Sequence, residues 1–220
     1  MVKNIKNPFI ILLGRPGCGK SAVFKILTEK FKDKGIACEF ERIDDFPILK
    51  ELLNMDVEGK RHEKKDGGFA VTDWTIIDEV LQVINKRVLK KATETRIIFI
   101  EFARASYTRA LKNFSQDFLN NSVILYIKAD FQTCLQRNEE RFLRAEGKDL
   151  DSHIVPPDLM KSYYKDDDIE DLLETKGEEY IRKNMHEKVF ILDNNEKGLD
   201  RLESKLDHFV EFYVKGTKNL

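Results

Sequence analysis

Five short apolar runs, rich in β-branched residues, punctuate the chain: Pro8–Leu13, Ala37–Ile43, Arg96–Phe102, Ser122–Ala129 and Lys188–Leu192. Several are almost continuously apolar, the pattern of strands covered on both faces of a parallel sheet. Between them the period changes to that of a helix. Val23, Ile26, Leu27 and Phe31 follow Lys20, with Gly35 as a C-terminal stop. Trp74, Ile77, Val80, Leu81, Ile84 and Val88 repeat the spacing, opened by Thr72 or Asp73 as a cap. Leu199, Leu202, Leu206, Phe209, Val210 and Tyr213 form a terminal amphipathic helix. A further helix is expected over Ile169, Leu172, Leu173, Tyr180 and Ile181, with Asp166-Asp167-Asp168 capping or preceding it. Strands alternating with helices predict βαβ units, a parallel sheet and right-handed crossovers.

No internal repeat and no low-complexity linker divides the chain, so a single domain over residues 1–220 is expected. Asp56–Gly68 and Gly147–Pro157 are polar and glycine-containing, and read as mobile insertions. Lys215–Leu220 reads as a frayed tail. Lys plus Arg number 38 and Asp plus Glu 39, a net charge of −1. That balance speaks against a protein built to hold duplex DNA, which needs a basic excess. Apolar residues at 41%, including 15 Phe, supply a core and exclude a disordered chain. Cys18, Cys38 and Cys134 have no zinc-ligand spacing and make no disulfide framework. Scattered thiols suit a reducing compartment, so a cytoplasmic location is expected. No segment approaches the ~18 apolar residues of a membrane span. The run Phe9–Leu13 ends in Gly-Arg-Pro-Gly, unlike a signal-peptide cleavage site.

The first predicted strand runs directly into Gly14-Arg15-Pro16-Gly17-Cys18-Gly19-Lys20-Ser21. This is the G-x-x-x-x-G-K-S pattern of a P-loop, placed between a buried strand and an amphipathic helix as that pattern requires. Glycines let the backbone curl with its N–H groups inward around a nucleotide's β-phosphate. The helix starting at Lys20 adds its positive end. In this reading Lys20 bridges the β- and γ-phosphates of ATP and the Ser21 hydroxyl ligates Mg²⁺.

Other candidates sit where predicted strands end, the edge at which ligands gather in open parallel sheets. Glu101 follows four apolar residues and is costly to bury without a cation, so it is the second metal-side candidate beside Ser21. The alternative is a surface Glu101 paired with Arg104 at i+3. Asp44 and Asp45 end the second strand; one could take a proton from an acceptor hydroxyl. Asp45 could equally be a helix N-cap before Phe46-Pro47. Arg137, Arg141 and Arg144 fall at i, i+4 and i+7, one helix face suited to clamping phosphate or merely to solvent. Asn194, after the last strand, is a candidate for adenine contact through a backbone loop or for a simple cap.

These residues together resemble the P-loop nucleoside and nucleotide kinase superfamily, in its adenylate-kinase-like and uridine-kinase-like groups. Gly14–Ser21 matches that superfamily's phosphate loop, including Pro16. Ile43-Asp44-Asp45-Phe46 resembles the substrate-side Asp-Asp-Phe of uridine-kinase-like members, Arg137–Arg144 the lid arginines, and Ile191-Leu192-Asp193 the terminal strand before the adenine loop. The resemblance implies a three-layer α/β fold, a five-stranded parallel sheet of order 2-3-1-4-5 and a helical lid, here over residues 131–165. It also implies ATP with Mg²⁺, and a nucleotide and a small-molecule acceptor as partners. The chain departs from the pattern in carrying Glu101 where many relatives have Asp, and it lacks the Asp-Gly-x-Pro-Arg of true adenylate kinases.

Two functions follow from these residues. One is a kinase moving the γ-phosphoryl of ATP-Mg to a small-molecule hydroxyl or phosphate; the catalytic set would be Lys20, Asp44, Asp45, Glu101, Arg137 and Arg141. The other is an ATPase or GTPase switch with no phosphorylated acceptor. A GTPase wants Asn-Lys-x-Asp after a strand, whereas Asn85-Lys86 lies inside a predicted helix and lacks the Asp.

Overall fold

A computed structural model describes residues 5, 7–65, 68–93, 95–144, 155–173, 188–196 and 198–216. The strands are β1 (Phe9–Leu13), β2 (Glu39–Asp44), β3 (His62–Lys65), β4 (Gly68–Val71), β5 (Arg96–Glu101), β6 (Ser122–Lys128) and β7 (Val189–Asp193). The helices are α1 (Lys20–Asp33), α2 (Asp45–Met55), α3 (Thr75–Lys91), α4 (Tyr107–Leu111), α5 (Gln116–Asn120), α6 (Phe131–Arg144), α7 (Pro157–Tyr163), α8 (Ile169–Leu173) and α9 (Leu199–Gly216).

β1, β2, β5, β6 and β7 form one parallel sheet in the order β2-β5-β1-β6-β7. In chain-order labels this differs from the expected 2-3-1-4-5. The reason is a separate β3–β4 hairpin, which inserts two strands ahead of β5. The five predicted runs themselves keep their expected neighbours. The hairpin overlaps Asp56–Gly68, the polar segment that reads as a mobile insertion, through β3 and the first residue of β4.

β1 is central and wholly buried. Successive side chains on a strand point to opposite faces, so its five apolar residues feed two cores. Phe9, Ile11 and Leu13, with Ile98, Ile100, Ile124 and Tyr126, pack against Val80, Ile84 and Val88 of α3. Ile10 and Leu12, with Phe99, Leu125 and Ile127, pack against Val23, Leu27 and Phe31 of α1 and Leu206, Phe209 and Tyr213 of α9. The result is helix, sheet, helix. The Gly35 stop holds: its φ is 59° and its N–H donates to Lys32 O at 2.9 Å. Asp73 caps α3, accepting from Thr75 N at 3.0 Å.

The lid proposed over 131–165 is rooted in the core, through buried Cys134 of α6 and Met160 of α7. Asn138 ties the two roots, donating to Val155 O at 2.7 Å and accepting from Val155 N at 3.2 Å. His153 and most of Gly147–Pro157 lie outside the described residues, as do Tyr180, Ile181 and the tail beyond Gly216. Among the described residues no helix is long and apolar enough to cross a membrane.

Candidate functional site

The loop after β1 lies against Ile127 of β6, Cys134 of α6 and Asn194 after β7, and three glycines make that possible. Gly14, Gly17 and Gly19 have φ of 134°, 83° and 109°, values that side-chain-bearing residues rarely adopt. They also stand against other backbone or side-chain atoms. A Cβ on Gly14 would lie 2.5 Å from Ile127 O, one on Gly17 would strike Cys134 O, and one on Gly19 would lie 2.5 Å from Asn194 Nδ2. Gly14 N–H donates to the buried Tyr107 hydroxyl at 3.0 Å, and Asn194 Nδ2 donates to Cys18 O at 2.7 Å. Among the described residues no acceptor engages the N–H of Gly17 or Gly19. They are available to an anion.

Lys20 opens α1 with only 7% of its surface exposed. Its ammonium donates to Gly14 O at 2.7 Å and to Arg15 O at 3.1 Å. The charge is therefore folded onto the loop itself. Arg15 fastens the other side of the loop: Nε donates to Tyr164 O at 2.9 Å, Nη1 to Ala129 O at 3.3 Å, and Nη2 pairs with Asp167 at 3.4 Å.

Three oxygen donors gather beside Lys20. Asp44 and Glu101 are register partners across β2 and β5, and Ser21 faces them from α1. All three converge on Arg42. Its Nε donates to Glu101 Oε2 at 2.8 Å, and its Nη2 reaches Ser21 Oγ at 3.0 Å and Asp44 Oδ2 at 3.4 Å. The sequence alternative of Glu101 paired with Arg104 is not what forms, because Arg42 is the nearer cation across the strand pair. Oxygen-only donors that already hold a cation suit Mg²⁺, which binds through one or two carboxylates and fills its shell from phosphate and water.

Asp44, rather than Asp45, is the N-cap of α2, accepting from Phe46 N at 2.9 Å. Burial first, then the nearby Asp45 and Glu101 carboxylates, push Asp44 up to about 6. A carboxyl that holds its proton more tightly when folded stabilises the fold in full below its unfolded value near 3.8. That contribution is lost as pH rises through about 6. Asn caps as well as Asp but does not titrate, so the melting temperature of the wild type minus that of Asp44→Asn should fall between about pH 4 and 7. A constant difference across that range would contradict the assignment.

Capping by Asp44 frees the neighbouring carboxylate. Asp45 Oδ2 accepts from Arg104 Nη1 at 2.5 Å, and the same nitrogen donates to Ala103 O at 2.7 Å. Arg104 is 7% exposed and its Nε has no hydrogen-bond partner among the described residues. Burial works against its charge, but Asp45 leads the effects that hold the guanidinium above its usual range. An aromatic group flanks this pair. Tyr164 and Tyr163 lie close enough to bear on the Arg104 charge, their rings are 4.8 Å apart, and Trp74 stacks on Tyr163 at 5.0 Å.

Arg137 donates to Asn194 O at 2.9 Å and Glu196 O at 3.3 Å, fixing the loop between β7 and α9. Arg141, one turn on, is half-buried and makes no ion pair or hydrogen bond among the described residues. Asn194 is itself buried, with its amide committed to Cys18 O. Arg144 ends α6. Sequence reasoning missed Arg42 and Tyr107, met Asp168 only within the acidic run that caps or precedes the helix at Ile169, and met Arg104 only as a partner for Glu101. Asp168 caps α4, accepting from Ser106 Oγ at 2.6 Å and Thr108 N at 3.2 Å.

Two of the three thiols are closed to reagents. Burial pushes Cys18 up, against the pull of Lys20, and pushes Cys134 up to about 12, whereas Cys38 is exposed. Thiolate is the reactive form, so iodoacetamide at pH 8 should add one group to the native protein, on Cys38, and three after denaturation. Native labelling of Cys18 would show the loop open.

No family model and no curated protein matches the chain. Solved structures do. A gluconokinase from Sinorhizobium meliloti 1021 superposes with a TM-score of 0.52 at 14% identity, covering 97% of this chain and 99% of its own. A sugar kinase from Janibacter sp. HTCC2649 superposes with a TM-score of 0.51 at 12% identity, covering 96% of each chain. The chain has a P-loop kinase-like fold.

Proposed function

We propose that this chain is an ATP-dependent phosphotransferase acting on a hydroxyl of a small-molecule acceptor. The observation that carries the reading is the meeting, at one sheet edge, of the glycine loop with Lys20, a cation-binding oxygen set, and a separate Asp45–Arg104 pair. The loop N–H groups and Lys20 would take the phosphates of ATP. Ser21 and Glu101, with Asp44 beside them, would hold Mg²⁺, which supplies charge neutralisation between the β- and γ-phosphates.

Asp45 accepts the hydrogen bond of the acceptor hydroxyl, then its proton, while Arg104 keeps the carboxylate oriented. A carboxylate beside a guanidinium offers an acceptor and donors together, which is what an alcohol needs. Trp74 and Tyr163 supply an apolar wall. The names of the gluconokinase and the sugar kinase support the same class of acceptor. Arg141, which makes no ion pair or hydrogen bond among the described residues, would meet the developing phosphoryl charge, and Arg137 holds the loop after β7. Positioning supplies most of the rate.

The test is incubation with ATP, Mg²⁺ and a panel of polyols and hydroxy acids, read by mass spectrometry. A phosphorylated acceptor in step with ADP is expected. ADP release with no phosphorylated acceptor across the panel would turn the reading to a hydrolytic switch.

A further inference from the structure

Arg42 belongs to neither the phosphate loop nor the acceptor pair, yet it is the common partner of every candidate metal ligand. Its guanidinium reaches Glu101, Ser21 and Asp44 within 3.4 Å. It is held there from a second side by the Phe24 ring, 5.9 Å from the guanidinium carbon. Asp44 and Glu101 are adjacent across the strands and both face into this group, and the Asp45 carboxylate is answered by Arg104. Without a cation at Arg42's position, two carboxylates would face each other in partly buried surroundings.

We infer that Arg42 is a resident cation that holds the metal position until a metal–nucleotide complex displaces it. The inference rests on the nucleotide reading above, and it adds a selection step to it. A free divalent ion must evict a guanidinium fixed by three oxygen contacts. A metal carried on phosphates arrives with the binding energy of the loop and Lys20 behind it, which offsets that cost. Arg42 is a positioning residue. Its release removes one contact from Ser21 and one from Glu101 together, because one side chain engages both.

The experiment uses Mn²⁺ as the probe, measured by electron paramagnetic resonance on the nucleotide-free protein. Wild type should hold Mn²⁺ weakly. Arg42→Gln should tighten it on the order of fivefold or more, because two carboxylates then face the ion without a competitor. Arg42→Gln with Glu101→Gln should return it to the wild-type level, and Arg42→Lys, which keeps a cation, should stay near wild type. An Arg42→Gln protein that binds Mn²⁺ no better than wild type overturns the inference.

Should Arg42→Gln fail to fold by circular dichroism, the arginine Nε–H resonance of Arg42 in ¹⁵N-labelled wild type decides. It should persist with Mg²⁺ alone and shift with Mg²⁺ and ADP. If the amides of Gly14–Ser21 respond to Mg²⁺ and ADP while the Arg42 signal stays, Arg42 is structural and the nucleotide reading survives. If no loop amide responds, the nucleotide reading fails, and the inference that a metal–nucleotide complex displaces Arg42 is overturned with it.

Discussion

Lys20→Ala should lower phosphoryl transfer by roughly 10³-fold or more, the scale on which positive groups at a transferring phosphoryl act. The fold should persist. Lys20 is the one ammonium bound within the loop among the described residues, and it sits on the Gly14 and Arg15 carbonyls. Its removal strands those two carbonyls, at a cost of about 1 kcal/mol each at most, since ordered water can replace it in a cleft. It leaves β1 and the buried apolar face of α1 untouched. Acceptor phosphorylation measured beside far-UV circular dichroism checks both halves. Transfer at near wild-type rate by a folded Lys20→Ala protein would refute the mechanism, and a collapsed circular dichroism spectrum would show that Lys20 is structural.

Asp45→Ala should cost on the order of 3 kcal/mol of stability and abolish transfer, for two separable reasons. The stability loss comes from Arg104. It is buried, its Nε has no hydrogen-bond partner among the described residues, and without Asp45 its charge keeps the Ala103 carbonyl and the Phe102 ring, which replace a carboxylate poorly. The activity loss comes from the missing hydroxyl acceptor. The two are told apart by adding Arg104→Met. The double variant should recover much of the stability, since apolar replacements of a buried pair are well tolerated, yet remain inactive. Urea denaturation of the three proteins with a kinase assay on each measures this. A single variant as stable as wild type would mean Arg104 is not held by Asp45.

The sheet was readable from sequence because β1, β5 and β6 are buried on both faces and so are written in uninterrupted apolar residues. The glycine loop was readable because its geometry forces residue types at fixed spacing. Arg42 and Arg104 were not, although both organise the site. Each finds its carboxylate 59 residues away, and nothing in the local pattern distinguishes them from surface arginines. Tyr107, which holds Gly14 N–H across 93 residues, is hidden in the same way. The β3–β4 hairpin was missed for a different reason. His62-Glu63-Lys64-Lys65 has no apolar alternation, and its register is fixed by pairing with β4 rather than by a buried face. The choice between Asp44 and Asp45 as cap also needed coordinates, because either fits a helix start before Phe46-Pro47.

Trp74 is the chain's single tryptophan, 44% exposed and stacked on Tyr163 at the end of α7. That places the only indole fluorophore between the start of α3 and the end of α7. The emission of the unlabelled protein is thus an optical gauge of how those two helices stand, and under the proposed function its colour and intensity should report acceptor entry without any engineered dye.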